Sequence, residues 1–267
     1  MIFEFEIKRI MKKNLIGYIS IVLVSIFCIL LYNIVDKNAN SISESLINAP
    51  NEVLQIFDID RQTFTTLNGY YAFIFKILSV ITSIYAINLG IETAMYDKKN
   101  NIRDFLYAKP IKRSHIIGIR IIGASIYMLS LTLIVFITSI ILFTIFRFDY
   151  NLLKIFQIDF SLFLLMLVFY SLGLVIGGFK NGKFPNILVS LITGLIFLII
   201  HIIDSLLNIN FLWYINPLSY FELSQIINDG YQYNTLIITM FILVFLMSFG
   251  IAIYENNLKQ QSNKKEL

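Results

Sequence analysis

Six stretches of about twenty residues carry almost no charge, and no other feature constrains the fold of this chain so tightly. Leu15–Val35 runs for 21 residues without a charged side chain, and Ile121–Phe146 for 26. A helix rises about 1.5 Å per residue, so runs of this length cross a hydrocarbon core of about 30 Å. A soluble core has no use for them, and in lipid the backbone must satisfy its own hydrogen bonds, which helices do. Charged residues make up 14% of the chain, against roughly 25% in an ordinary soluble domain. The expected fold is therefore all-α: a polytopic membrane protein with six transmembrane helices. The spans fall near 15–35, 69–93, 118–146, 160–179, 185–204 and 234–254, inside a transmembrane domain covering 14–254.

The segments between the spans are short and distinct. In residues 1–13, Phe3, Ile7, Ile10 and Met11 recur at helical spacing, with Glu4, Lys8, Arg9, Lys12 and Lys13 on much of the other side. This predicts an N-terminal amphipathic interfacial helix with its bases toward anionic lipid; the plainer reading is a charged flank of the first span. That first span exceeds the 7–15 residues of a signal-peptide core and lacks a small-residue cleavage site, so it is expected to stay as an anchor. Ala49-Pro50-Asn51-Glu52 signals a helix start, predicting a short helix over 51–59. Residues 204–233 are rich in aromatics and read as short interfacial helices broken at Asn216-Pro217. Residues 255–267 form a polar tail. The single cysteine, Cys28, excludes an intramolecular disulfide.

Charge placement sets the orientation. With the N-terminus in the cytoplasm, the outer segments hold only Lys37, Arg61, Arg147 and Lys154, while sixteen Lys and Arg fall on the inner side. By the positive-inside rule both termini are cytoplasmic. A multi-pass protein of the cell membrane, in a bacterium the plasma membrane, is the expected setting.

Several chemistries have no residues to carry them. There is no phosphate-binding G-x-x-x-x-G-K-[ST] loop and no H-E-x-x-H. No serine or cysteine stands beside a candidate base, so the chain is not expected to be an enzyme. The two histidines, His115 and His201, fall on opposite sides of the membrane and cannot share a metal. His201, with Asp204 one turn on, reads as an interfacial hydrogen bond or a proton relay. Lys76, inside the second span, reads as a side chain that snorkels outward or that lines a substrate path. Gly173-x-x-x-Gly177 and Ser190-x-x-x-Gly194 read as helix packing within the chain or as a dimer face.

The connection between the second and third spans stands apart. A helix–helix turn needs about 2–8 residues, yet Asp97–Arg120 is far longer. Ile102, Phe105 and Leu106 share one helical face, ringed by Lys98, Lys99, Arg103, Lys109, Lys112 and Arg113, and Pro110 ends or redirects the turn. Two readings compete: a basic flank that dips into lipid, or an apolar knob with a basic rim that docks a soluble partner.

The order of residues resembles the cytoplasmic loop of ABC-2 type transporter permeases. Asp97-Lys98 matches an acidic–basic start, Asn101 stands where Gly is usual, and Asp104-Phe105-Leu106 matches an acidic-plus-apolar core. Pro110-Ile111-Lys112-Arg113 matches Pro-Val/Ile-x-Arg, and Arg120 takes the last basic place. Ile102 and Arg103 depart from the pattern. The layout is similar as well, with Asn216-Pro217-Leu218-Ser219-Tyr220 resembling the family's Asn-Pro segment before the last span.

The resemblance implies a permease subunit of an ABC transporter, an exporter, driven by a separate ATPase docked on the loop 97–115. Asn101, Ile102, Phe105, Leu106, Lys109, Pro110 and Arg113 would form that contact. It also implies a second permease chain in a homo- or heterodimer. No cofactor belongs to this chain, since Mg-ATP would sit in the partner; membrane lipid is a further partner, and no nucleic acid is expected. The rival is a stand-alone ion-coupled transporter or sensor, but such transporters show mid-membrane charges or paired helix breaks, and these spans are nearly free of charge. A reporter domain fused after Leu267 is expected to read as cytoplasmic in intact cells; an external signal would overturn the orientation.

Overall fold

Each apolar run becomes part of a longer helix in the computed structural model, which describes residues 2–57, 59–61, 63–100, 113–180, 184–207, 210–221, 226–227 and 230–263. The elements are α1 (Ile2–Lys37), α2 (Ala39–Ile47), α3 (Asn51–Ile56), α4 (Leu67–Asn100), α5 (Arg113–Ile145), α6 (Leu152–Phe179), α7 (Asn186–Leu207), α8 (Asn210–Ile215), a 3-10 turn (Pro217–Ser219) and α9 (Tyr233–Asn263). Among the described residues, α1, α4, α5, α6, α7 and α9 are long and apolar enough to cross a membrane. The all-α, six-span reading holds.

The helices overrun the sequence boundaries in ways that have physical causes. The amphipathic residues 2–13 are helical as expected, but they continue without a break into the first span as one helix. No proline interrupts that stretch, and Gly17 lies well inside a helix whose neighbours all favour continuation. α6 begins at Leu152, well before the expected 160. Asn151 caps it, its Oδ1 accepting from the N–H groups of Leu153 (3.1 Å) and Lys154 (3.3 Å). The polar residues that looked like a connection are absorbed: Asp159 is buried and accepts from the Tyr71 hydroxyl at 2.9 and 3.0 Å.

Between α1 and α4 the chain forms α2 and α3. The start of α3 at Asn51 agrees with the expected helix over 51–59, whereas α2 carries no sequence signal strong enough to announce it. Arg61 ties both down: its guanidinium donates to the carbonyls of Leu46 (3.0 Å) and Ala49 (3.0 Å), which end α2, and to Asn51 Oδ1 (2.7 Å). Further along, α8 ends at Ile215 and Asn216-Pro217 redirects the chain into the 3-10 turn, as the aromatic-rich segment suggested.

The centre of the bundle is the pair α4 and α6. About 61% of the apolar window of α4 and 67% of that of α6 is buried, against 11% for α7 and α9, which therefore present most of their surface outward. Small residues permit the central contact. A Cβ built on Gly90 would lie 2.2 Å from the Tyr170 carbonyl oxygen, and one on Gly173 would lie 2.3 Å from that of Ile87. Gly177 packs on Ile91 and Ala94, and Gly194 of α7 packs on Ile84. The small-residue repeats thus serve packing within the chain.

Ends of the bundle can be told apart by contacts. Glu6 of α1, Asp97 of α4, Arg120 of α5 and Tyr254 of α9 meet at one end, so the first and last helices come together with the end of α4 and the start of α5. The opposite end holds α2, α3 and α8. Replacing Gly90 by Ala should lower the thermal unfolding midpoint of the detergent-solubilised protein, by an overpacking cost of about 1–3 kcal/mol. Gly118→Ala, where a Cβ meets nothing within 4 Å, should leave it unchanged or raise it.

Candidate functional site

Of the residues expected to contact a partner, Asn101, Ile102, Phe105, Leu106, Lys109 and Pro110 lie outside the described residues, and Arg113 is the first residue of α5. The structure instead shows how the two ends of their connection are held. Asp97 lies near the end of α4 and Arg120 two turns into α5. Arg120 donates from Nη1 to Asp97 Oδ2 (2.9 Å) and from Nη2 to Asp97 Oδ1 (2.8 Å), a two-point fork that fixes orientation as well as distance. Its Nε donates to Glu6 Oε1 at 3.2 Å. Glu6 in turn pairs through Oε2 with Arg9 Nη2 at 2.6 Å.

Aromatic groups complete the cluster. The Tyr254 hydroxyl donates to Asp97 Oδ2. The Tyr96 ring packs against both guanidinium groups, with Arg9 3.6 Å and Arg120 4.8 Å from its centroid. Asp97, Arg120 and Glu6 are 1%, 3% and 4% exposed, so two carboxylates and one guanidinium meet out of water, with the half-buried Arg9 at their edge. Four of the six spans contribute: α1, α4, α5 and α9.

A second tie binds α1 to the same end. The Tyr85 hydroxyl of α4 and the Tyr127 hydroxyl of α5 lie 2.6 Å apart and 3.3 and 3.1 Å from the Asn14 carbonyl of α1, so one donates to the carbonyl while the other donates to its neighbour. Lys13 reaches Glu92 of α4 at 2.9 Å. Arg9 and Lys13 therefore do more than line a membrane flank.

Sequence reasoning named Asp97 and Arg120 as the ends of a motif but missed Glu6, Tyr96 and Tyr254. Glu6 was legible in one respect. It lies one turn before buried Ile10, so an acid sits on the packed stripe among bases that face outward. Nothing local marks Tyr254, because its partner is 157 residues away.

Polar groups at the other end are structural. Lys76 extends toward this end of the bundle but ends in protein, not in water: it is buried, and Nζ donates to the Leu218 carbonyl of the 3-10 turn at 3.4 Å. His201 contacts Ser219 Oγ through Nδ1 at 3.0 Å, in place of the expected Asp204 partner. Asn216 caps the turn, its Oδ1 accepting from Leu218 N–H at 3.2 Å. Outside the spans, burial pushes the Tyr220 hydroxyl up to about 12, so it remains a donor to the Tyr214 carbonyl, at 2.6 Å, across the neutral range. Among the described residues no group of three His, Cys, Asp or Glu is placed to hold a metal ion.

Chemically, the cluster at the base of the connection has neither nucleophile nor general base poised against a substrate. What it can do is lock helices together. Removing one partner of a buried ion pair leaves an uncompensated charge and costs about 3–5 kcal/mol, whereas replacing both by apolar groups is often neutral. Asp97→Leu and Arg120→Leu should therefore each lower the unfolding midpoint in detergent clearly, and the double variant should recover a large part of the loss. Additive losses in the double variant would show that the two residues do not act as a pair.

Compared with known families, residues 63–255 match the profile described as ABC-2 family transporter protein. Comparisons with curated proteins and with solved structures returned no match.

Proposed function

The chain belongs to the ABC-2 transporter family and is a permease-type membrane subunit; from that premise we propose that it works as the membrane half of an ABC exporter, driven by a separate ATPase docked on the 97–115 connection. The observation that carries this reading is the buried Arg120–Asp97 fork with Glu6 and Tyr254 attached. A partner that pushes on the connection pushes on a base joined to α1, α4, α5 and α9 together. A loop anchored on one helix alone would dissipate the same displacement locally.

In this reading the loop end of the bundle is cytoplasmic, in agreement with the charge bias along the chain. Phe105 and Leu106 fill an apolar groove on the ATPase, and Lys109 and Arg113 pair with acids at its rim. Mg-ATP is bound and hydrolysed by that partner, since this chain has no phosphate-binding loop. A second permease chain completes the transporter, and a bacterial plasma membrane is its setting. The broad outward apolar faces of α7 and α9 are available to lipid and to that second chain.

The test is co-purification. Affinity-tagged chain, expressed in its native host and extracted in mild detergent, should bring down an ATP-hydrolysing subunit. Phe105→Asp should abolish that recovery while the amount of tagged chain in the membrane fraction stays the same. Undiminished recovery with Phe105→Asp would remove the docking role of the connection.

A further inference from the structure

A cleft of about 280 Å³ opens beside the ion cluster, between α1, α4 and the start of α7. α1 lines it with Arg9, Ile10, Lys13 and Asn14, α4 with Leu89 and Glu92, and α7 with its first residue, Asn186. It thus has polar groups on its wall and apolar side chains among them, at the level where three spans end. We propose that this cleft binds the headgroup of an anionic phospholipid.

Three observations support the assignment. The first is an unmatched donor: Arg9 pairs with Glu6 through Nη2, but Nη1 is buried without a hydrogen-bond partner among the described residues. Nη1 is itself enclosed, so what the guanidinium brings to the wall of the cleft is its positive charge, which with that of Lys13 is complementary to an anionic group such as a phosphodiester. The second is a cation that is easily re-partnered. The Lys13 side chain is 51% exposed, so its pair with Glu92 is a weak surface pair, and Nζ is free to turn to a phosphate. The third is the surface that leads away from the cleft. Leu15 and Ile16 follow Asn14, and Ile187 and Leu188 follow Asn186; all four are exposed apolar residues. Acyl chains attached to a phosphate in the cleft would lie along these two helices, whereas a free phosphate would gain nothing from them.

The site depends on the chain's lying in a membrane and not on the docking role proposed above. It does abut the base of the connection, because Arg9 belongs both to the cleft and to the Glu6–Arg120–Asp97 chain of ion pairs.

Native mass spectrometry of the full chain in detergent, titrated with dioleoylphosphatidylglycerol, tests it. One saturable adduct is expected, bound more tightly than dioleoylphosphatidylcholine. Lys13→Gln should weaken it about fivefold, the usual worth of one cation near an anionic headgroup. Lys12→Gln, which removes an exposed charge outside the cleft, should not. Glu92→Gln should strengthen binding, because it removes the carboxylate that competes for Lys13. Equal effects of Lys13→Gln and Lys12→Gln, or no gain with Glu92→Gln, would overturn the site. Equal binding of the two lipids, or displacement of the lipid by inorganic phosphate at comparable concentration, would overturn its assignment to an anionic lipid headgroup.

Discussion

Arg120 is the residue on which one end of this bundle depends. Out of water a charge has nothing to solvate it, so a buried guanidinium two turns into α5 must find its counter-charges within the protein. It finds them on two other helices: both oxygens of Asp97 on α4 and one of Glu6 on α1. Because the guanidinium is planar and its donors are fixed, these bonds specify a rotation of α5 about its axis as well as a distance. Tyr254 brings α9 to the same carboxylate. The geometry of four helices at this end follows from satisfying two guanidinium groups and two carboxylates at once.

The middle of the bundle is governed by shape, not charge. α4 and α6 approach until backbone meets backbone, with Gly90 against Tyr170 and Gly173 against Ile87. Apolar burial supplies little drive between helices in hydrocarbon, so close van der Waals contact has to supply it. These two contributions divide the molecule. A tightly packed central pair forms a rigid spine, while α7 and α9 lie at the periphery with most of their apolar surface outward. The ion cluster then sits at one end of the spine, where α4 continues beyond its contact with α6 to reach the long connection.

How much of this was readable beforehand depends on the range of the interaction. The six spans were legible because a charge-free run is a local property, and membrane thickness turns its length into a structure. The Gly173 and Gly177 pair was legible as a packing face for the same reason, although not its partner. α2 was hidden because its apolar stripe, Ala39, Ile42 and Leu46, is short and set in a serine-rich run; Arg61, 15 residues beyond Leu46, holds its end. The start of α6 was hidden because Lys154 and Asp159 look like a loop until Tyr71, on another helix, is known to sit over Asp159. The motif that drew attention to Asp97 and Arg120 marked both ends of the cluster. It gave no sign that they touch each other, and Glu6 and Tyr254 enter only through folding.

Why an ion cluster should stand where apolar packing would hold the helices equally well has a physical answer. Apolar contact is non-directional and tolerates sliding, whereas a two-point guanidinium–carboxylate fork penalises small rotations steeply. A buried pair adds little net stability over a well-packed apolar substitute, so its use is orientation. Here the fork joins the two helices that emerge into the connection, and Glu6 offers Arg120 a second carboxylate on a third helix. Arg9, held between Glu6 and the Tyr96 ring, links that carboxylate to the neighbouring cleft. A displacement of α4 relative to α5 must either carry α1 and α9 with it or break charge-assisted bonds out of water. The first is far less costly, so the cluster makes the four helices move as one body at the end where the connection joins them.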